Sequence, residues 1–231
     1  MSDFPARLAR VRARIEAAAS ACGRDARQIH SIGVTKLKPA GAVAEALDAG
    51  LVDIGENFVQ EALEKMAALG ARQPTWHFIG ALQSNKTRQV AENFDWVHSV
   101  DRLKIARRLS EQRPEDAPPL QVGIQVHLGS EASKSGASPG DVPALARAIR
   151  RMPRLRFRGL MAVPPPETDL ERQRHWFREL AELAGVLRAE TCEVDTLSMG
   201  MSDDLEAAIA EGATHVRIGT ALFGPRPRAE A

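Results

Sequence analysis

Tyrosine is absent from this chain of 231 residues, so no phenol is at hand as an acid or a base. Cysteine is almost absent: Cys22 and Cys192 stand far apart and without metal-ligand spacing. That argues against a disulfide framework and a zinc site, and for a reducing compartment. Neither sign of charge is in excess, because 31 Lys+Arg against 30 Asp+Glu leave a net +1. Nothing therefore recommends nucleic acid or an acidic membrane as a bulk electrostatic partner. No apolar signal core follows Met1-Ser2-Asp3-Phe4-Pro5, and no later apolar run approaches spanning length. The expectation is a soluble cytoplasmic protein.

Leu8, Val11, Ile15 and Ala18-Ala19 recur at helical spacing and predict a leading helix over 5–22. After it, short apolar runs alternate with helical patterns eight times. The expected strands are 29–34, 53–55, 75–79, 96–100, 120–126, 156–162, 194–198 and 214–218. The helical patterns between them are 42–49, 59–69, 84–93, 103–112, 142–150, 170–187 and 203–210, with Ser84, Asp101 and Ser202 read as N-caps. Eight such units in about 250 residues are the signature of an α/β fold, a single eight-stranded parallel β/α (TIM-type) barrel. An open doubly wound sheet is the runner-up, but it would have fewer strands and a glycine-rich turn after the first. No linker divides the chain, so residues 1–231 are expected as one barrel domain, with a leading segment at 1–24 and a flexible tail at 225–231.

The first strand runs into a lysine. Two-residue alternation puts Ile32, Val34 and Lys36 on one side, aiming the amine at the interior that the apolar residues fill. An ammonium is costly to desolvate there, and a lysine so held tends to act as a nucleophile or condense with an aldehyde. Barrels gather chemistry where strands end, and often bind phosphate on the loops after strands seven and eight. Here those loops are Ser198-Met199-Gly200 and Gly219-Thr220. Glycine lets backbone approach a phosphate and the hydroxyls add donors, although such turns are common. Alternation also points Arg217 into the barrel, where it needs an acceptor. Two partners suit it, a carboxylate such as Glu56 or a ligand.

A lysine able to form a Schiff base, a phosphate cradle and an inward arginine together describe a site for pyridoxal 5'-phosphate (PLP). Arg217 would face the pyridine nitrogen. Its side chain carries only donors, so it cannot keep that nitrogen protonated as an aspartate would, and the ring would be a weak electron sink.

These residues resemble the pyridoxal phosphate homeostasis proteins. The carrying segments are VTKLKP (34–39), GENFVQE (55–61), WHFIGALQSNK (76–86), SKSG (133–136), RGLMA (158–162), LSMGMSDD (197–204) and RIGTALFG (217–224). The resemblance implies a single barrel similar to the N-terminal domain of alanine racemase, with PLP as a covalent aldimine on Lys36. It implies phosphate on Ser198, Gly200, Gly219 and Thr220, with Met199 in the same loop, Arg217 near the ring nitrogen and Asn57 beside the cofactor. It further implies a non-catalytic role in vitamin B6 homeostasis, with PLP-requiring apoenzymes as recipients. Two departures stand out: Phe58 replaces the family's tyrosine, and His127-Leu128-Gly129 replaces an asparagine-containing run.

The rival reading is a PLP-dependent amino-acid racemase. Racemisation needs two bases on opposite faces of Cα, and the tyrosine that alanine racemase uses as the second has no counterpart in this chain. Cys22 and Cys192 fall away from the mouth, which leaves His77 as the one candidate for a second base. A purely structural barrel, with Lys36 ion-paired inside, is a third reading. His30, His98, His175 and His215 read as structural. Lys134, on the Ser/Gly loop after strand five, could attract phosphate or receive the aldehyde transiently.

Overall fold

The computed structural model describes residues 3–129, 135–191 and 194–225. Eight strands close a barrel in chain order: β1 (His30–Val34), β2 (Asp53–Glu56), β3 (Thr75–Phe78), β4 (Trp96–Val100), β5 (Leu120–Gln125), β6 (Leu155–Met161), β7 (Thr196–Ser198) and β8 (His215–Ile218). Every neighbouring pair is parallel, and β1 against β8, from His30↔His215 to Gly33↔Ile218, closes the ring. Each expected strand is found within a residue or two, and the open sheet is excluded. β1 stops at Val34, two residues before Lys36.

Helices wrap this ring because each turns an apolar stripe inward. The leading helix α1 (Phe4–Ala21) buries Phe4, Leu8, Val11, Ile15 and Ala19, with Pro5 in its first turn, where a missing N–H costs nothing. It packs on α8 (Leu205–Ala210) and α9 (Thr220–Phe223). The remaining helices are α2 (Ala40–Asp48), α3 (Val59–Leu69), α4 (Thr87–Asn93), α5 (Leu103–Gln112), α6 (Val142–Arg150) and α7 (Leu170–Thr191). Burying each Val, Leu or Ile of such a stripe contributes about 1.5–3 kcal/mol. Among the described residues no helix is long and apolar enough to cross a membrane.

The expected N-caps are corrected. The 84–93 pattern divides into a 3-10 turn (Ser84–Lys86) and α4, and the Ser84 carbonyl accepts from Thr87 and Arg108. Asp101 pairs with Arg102 at 2.6 Å. The Ser202 hydroxyl accepts from the backbone of Ala221, and α8 starts only at Leu205. None of the three side chains caps a helix, because α4, α5 and α8 begin after Lys86, Arg102 and Asp204, and only the Ser202 hydroxyl is taken by a partner distant in sequence. Cys192 and Lys134 lie outside the described residues, as does the expected tail beyond Pro225.

Candidate functional site

Lys36 sits in a tight turn rather than on the strand. The carbonyl of Thr35 accepts from Lys38 N–H at 3.0 Å, and Leu37 takes φ 61, a left-handed conformation that costs an L-residue about 1–2 kcal/mol. Two side chains of α3 hold this turn. Glu61 Oε1 accepts from Leu37 N–H at 2.6 Å, and Lys65 Nζ donates to the Thr35 carbonyl at 2.6 Å. Lys65, itself buried, also reaches Glu56 Oε1 and Glu61 Oε1, each at 2.6 Å. The Thr35 hydroxyl donates to Glu56 as well. Burial pushes the Glu56 carboxyl above its ordinary range, against the pull of Lys65 and Thr35. Glu56 is thus the partner of Lys65, and the Glu56–Arg217 ion pair does not form.

Lys36 lines a cavity of about 330 Å³ at the mouth, together with Asn57, Arg217, Gly219 and Thr220. That volume suits a small organic ligand. Its charged lining is Lys36, Lys38 and Arg217 against Asp203 alone, so an anion is favoured. Asn57 Oδ1 is buried and has no hydrogen-bond partner among the described residues. Such an atom is uncommon in a finished interior and marks a place for a ligand or water. The Asn57 backbone lies where only glycine permits it, since a Cβ on Gly80 would come 2.1 Å from the Asn57 carbonyl oxygen.

Three of the expected phosphate residues stand behind the cavity instead of in its wall. Ser198 and Met199 are fully buried. Gly200, at φ 89, has its missing Cβ position filled by Ala208, and its carbonyl accepts from Arg217 N–H at 2.9 Å. The serine in the wall is Ser202, past the bend at Gly200. Gly219 and Thr220 stand beside it at the first turn of α9, where backbone N–H groups have no acceptor within the helix. The Ser202 hydroxyl accepts from Ala221 N–H at 3.3 Å and keeps its own proton to donate.

Arg217 points inward as alternation requires. Its Nη1 donates to the Ser198 carbonyl at 2.6 Å and its Nη2 to the Ala162 carbonyl at 2.8 Å. Burial pushes the guanidinium down to about 10, with Asp204 opposing, so it stays charged at neutral pH. Beyond Asn57, the mouth opens into a cavity of about 990 Å³ walled by Pro164, Pro165 and Pro166.

His77 is not at the mouth. Its Nε2 lies 3.1 Å from Asp53 Oδ1, at the start of β2, and its ring stacks on Trp96, at the start of β4. With His98, His215 and His30 it forms a histidine layer at the barrel's base. Burial holds His98 well below its usual range and His215 at about 3. Strand ends read from the sequence alone put His77 a layer too high. Phe58 is exposed and lines a separate rim cavity, and His127 N–H bonds the Ala137 carbonyl, so neither departure enters the Lys36 cavity.

The alanine racemase N-terminal domain model matches residues 7–227. The chain is 58% identical over 226 residues to the pyridoxal phosphate homeostasis protein of Pseudomonas aeruginosa, covering 98% of this chain and 97% of that one. It is 52% identical over 229 residues to the Escherichia coli protein of that name, with 98% of each covered. PipY of Synechococcus elongatus, solved with PLP bound, superposes with a TM-score of 0.80 at 37% identity, over 91% of this chain and 100% of that one. An alanine racemase of Clostridium difficile, at 16% identity and TM-score 0.70, shares the fold over 93% of this chain and 55% of its own length.

Proposed function

The chain belongs to the pyridoxal phosphate homeostasis protein family, and on that premise we propose that it binds PLP at the Lys36 cavity and holds it without significant turnover. The supporting observation is that Lys36, Arg217, Ser202, Gly219 and Thr220 line one cavity. The residues fit the group: an amine for the aldehyde, a surplus of positive charge for the phosphate, and an orphaned amide oxygen beside them. When bound, PLP supplies an aldehyde and an aromatic ring able to delocalise electrons. Lys36 would be the amine that meets that aldehyde, held at the mouth by the turn that follows β1. Ser202, Gly219 and Thr220 would hold the phosphate through hydroxyl and backbone N–H groups. Arg217 would offer the ring a donor rather than an acceptor, and Asn57 would offer its unpaired amide oxygen.

Retention without turnover is supported by the residue types at the mouth, where the titratable groups besides Lys36 and Arg217 are Lys38, Asp203, Asp204 and Glu167 among the described residues. Among the described residues, neither cavity there is lined by histidine or cysteine, and the sequence has no tyrosine. A racemase needs a second base on the opposite face, and His77 sits at the base of the barrel instead. The larger adjoining cavity gives an amine from outside, such as a lysine of a PLP-requiring apoenzyme, a route to the same carbon.

The test is a visible absorption spectrum of the purified protein before and after borohydride reduction, with the reduced lysine located by peptide mass. A yellow protein that loses its colour in Lys36→Ala is the expected result. An unchanged spectrum in that variant would move the aldehyde to another lysine.

A further inference from the structure

We propose that Glu61 and Lys65 are positioning residues for Lys36, gripping the backbone on both sides of it. The inference rests on the reading of Lys36 as the aldehyde-binding amine. Neither side chain lines the cavity, so neither touches a ligand there. Yet the two backbone groups that flank Lys36 both end on them: the Thr35 carbonyl on Lys65, and the Leu37 N–H on Glu61. A single oxygen, Glu61 Oε1, accepts from both Leu37 and Lys65, which closes a loop of hydrogen bonds around the lysine.

Neutralising a buried charge does not require this arrangement. Glu56 alone supplies Lys65 with a buried counter-ion at 2.6 Å, while the Glu61 side chain keeps 21% of its surface exposed. Glu61 instead does something local, since it holds Leu37 in a left-handed conformation without the help of glycine. Were Leu37 to relax, the 36–37 peptide would swing and carry the Lys36 amine away from Ser202, Gly219 and Thr220. Glu61 and Lys65 are four apart on α3, the spacing that puts both on one helix face. The end of β2 brings Glu56 to the same point.

The experiment compares Glu61→Ala with Glu61→Gln in the full chain. Glutamine keeps an oxygen for Leu37 N–H, and alanine does not. The first readout is the equilibrium for forming the reducible bond with added pyridoxal 5'-phosphate, read by absorbance. The second, without cofactor, is the acetylation rate of Lys36 relative to the exposed Lys104, read by peptide mass. Glu61→Ala should weaken aldehyde binding at least about tenfold, the worth of one hydrogen bond to a charged group. It should also move Lys36 acetylation towards the Lys104 rate. Glu61→Gln should restore both to within about threefold of wild type. The double variant Lys65→Met/Glu56→Gln, which removes the buried charges as a pair, should reproduce the loss and serves if Glu61→Ala does not fold. Wild-type binding and labelling in Glu61→Ala, or equal losses in the alanine and glutamine variants, would overturn the proposal. Absence of a reducible bond at Lys36 in the wild-type protein would sink the functional reading, and the acetylation rates would still decide the positioning role.

Discussion

Arg217 Nη1 donates to both oxygens of Ser198, the carbonyl at 2.6 Å and the hydroxyl at 2.9 Å. Ser198 is fully buried behind the guanidinium, and Ser202 is the serine that lines the cavity. PLP should bind at least tenfold more tightly than unphosphorylated pyridoxal, since charge-assisted hydrogen bonds are worth about 1.5–3 kcal/mol each. Ser202→Ala should cut that preference severalfold. Ser198→Ala should leave it intact while lowering stability by about 1–3 kcal/mol. Competition binding followed by absorbance, with urea unfolding alongside, checks both. A preference lost in Ser198→Ala and kept in Ser202→Ala would return the phosphate to the strand end.

The histidine layer predicts acid sensitivity with a definite sign. His215, facing His30, His77, Asp53 and Arg158, is held at about 3 chiefly by burial. His98, facing His77, His215 and Arg217, is also held low by burial. An unfolded histidine titrates near 6.5, so between about pH 6.5 and 3 the unfolded chain binds the extra protons. The contribution is complete above pH 6.5 and is lost as pH falls through that window. From pH 6.5 to 5 His215 alone should cost about 2 kcal/mol. Asp53 adds loss only at lower pH. Burial would raise its carboxyl, but the hydrogen bond from His77 and the nearby histidine charges carry it below its usual value. Urea midpoints across this range should slope steeply for the wild type and less for His215→Asn. A flat profile would show that the layer is solvated.

On the proposed reading, Arg217 as a donor to the ring and a described mouth lined by no histidine or cysteine should leave Cα protons in place. Solvent deuterium incorporation into L-alanine and other amino acids should stay near background, with a true racemase as positive control. Incorporation at enzymatic rates, abolished in Lys36→Ala, would make the protein an enzyme.

Gly80→Ala should damage the site without touching it. The new methyl would press on Asn57 backbone, which cannot yield as a flexible side chain does. Overpacking of this kind costs about 1–3 kcal/mol, and the displaced Asn57 should weaken PLP binding. Unchanged affinity and thermal midpoint would show that the 56–58 segment moves aside freely.

Much of this was legible in the residues. Apolar runs alternating with helical patterns give eight strands, and period-two alternation sends Arg217 inward; Lys36 shares a cavity with Val34, but from a turn that alternation does not describe. Alternation fails where the chain leaves extended geometry. Past Gly200, at φ 89, it cannot say that Ser202 rather than Ser198 meets the cavity. It also gives no height within the barrel, because that depends on register between strands, such as Gly55↔His77, that no single strand encodes. Glu61 and Lys65 look like an ordinary solvated i,i+4 pair on a helix. Only the end of β2 and the turn after β1, distant in sequence, reveal that the lysine is buried.

The pairing of β1 with β8 carries a consequence for how the protein is made. Lys36 leaves the ribosome well before Arg217, Gly219 and Thr220. The two halves of the pocket are adjacent only once the ring is sealed at His30↔His215. On the proposed function, a growing chain would display the Lys36 amine before the opposite wall of its pocket exists, and tight capture of an aldehyde would wait for the sealed ring.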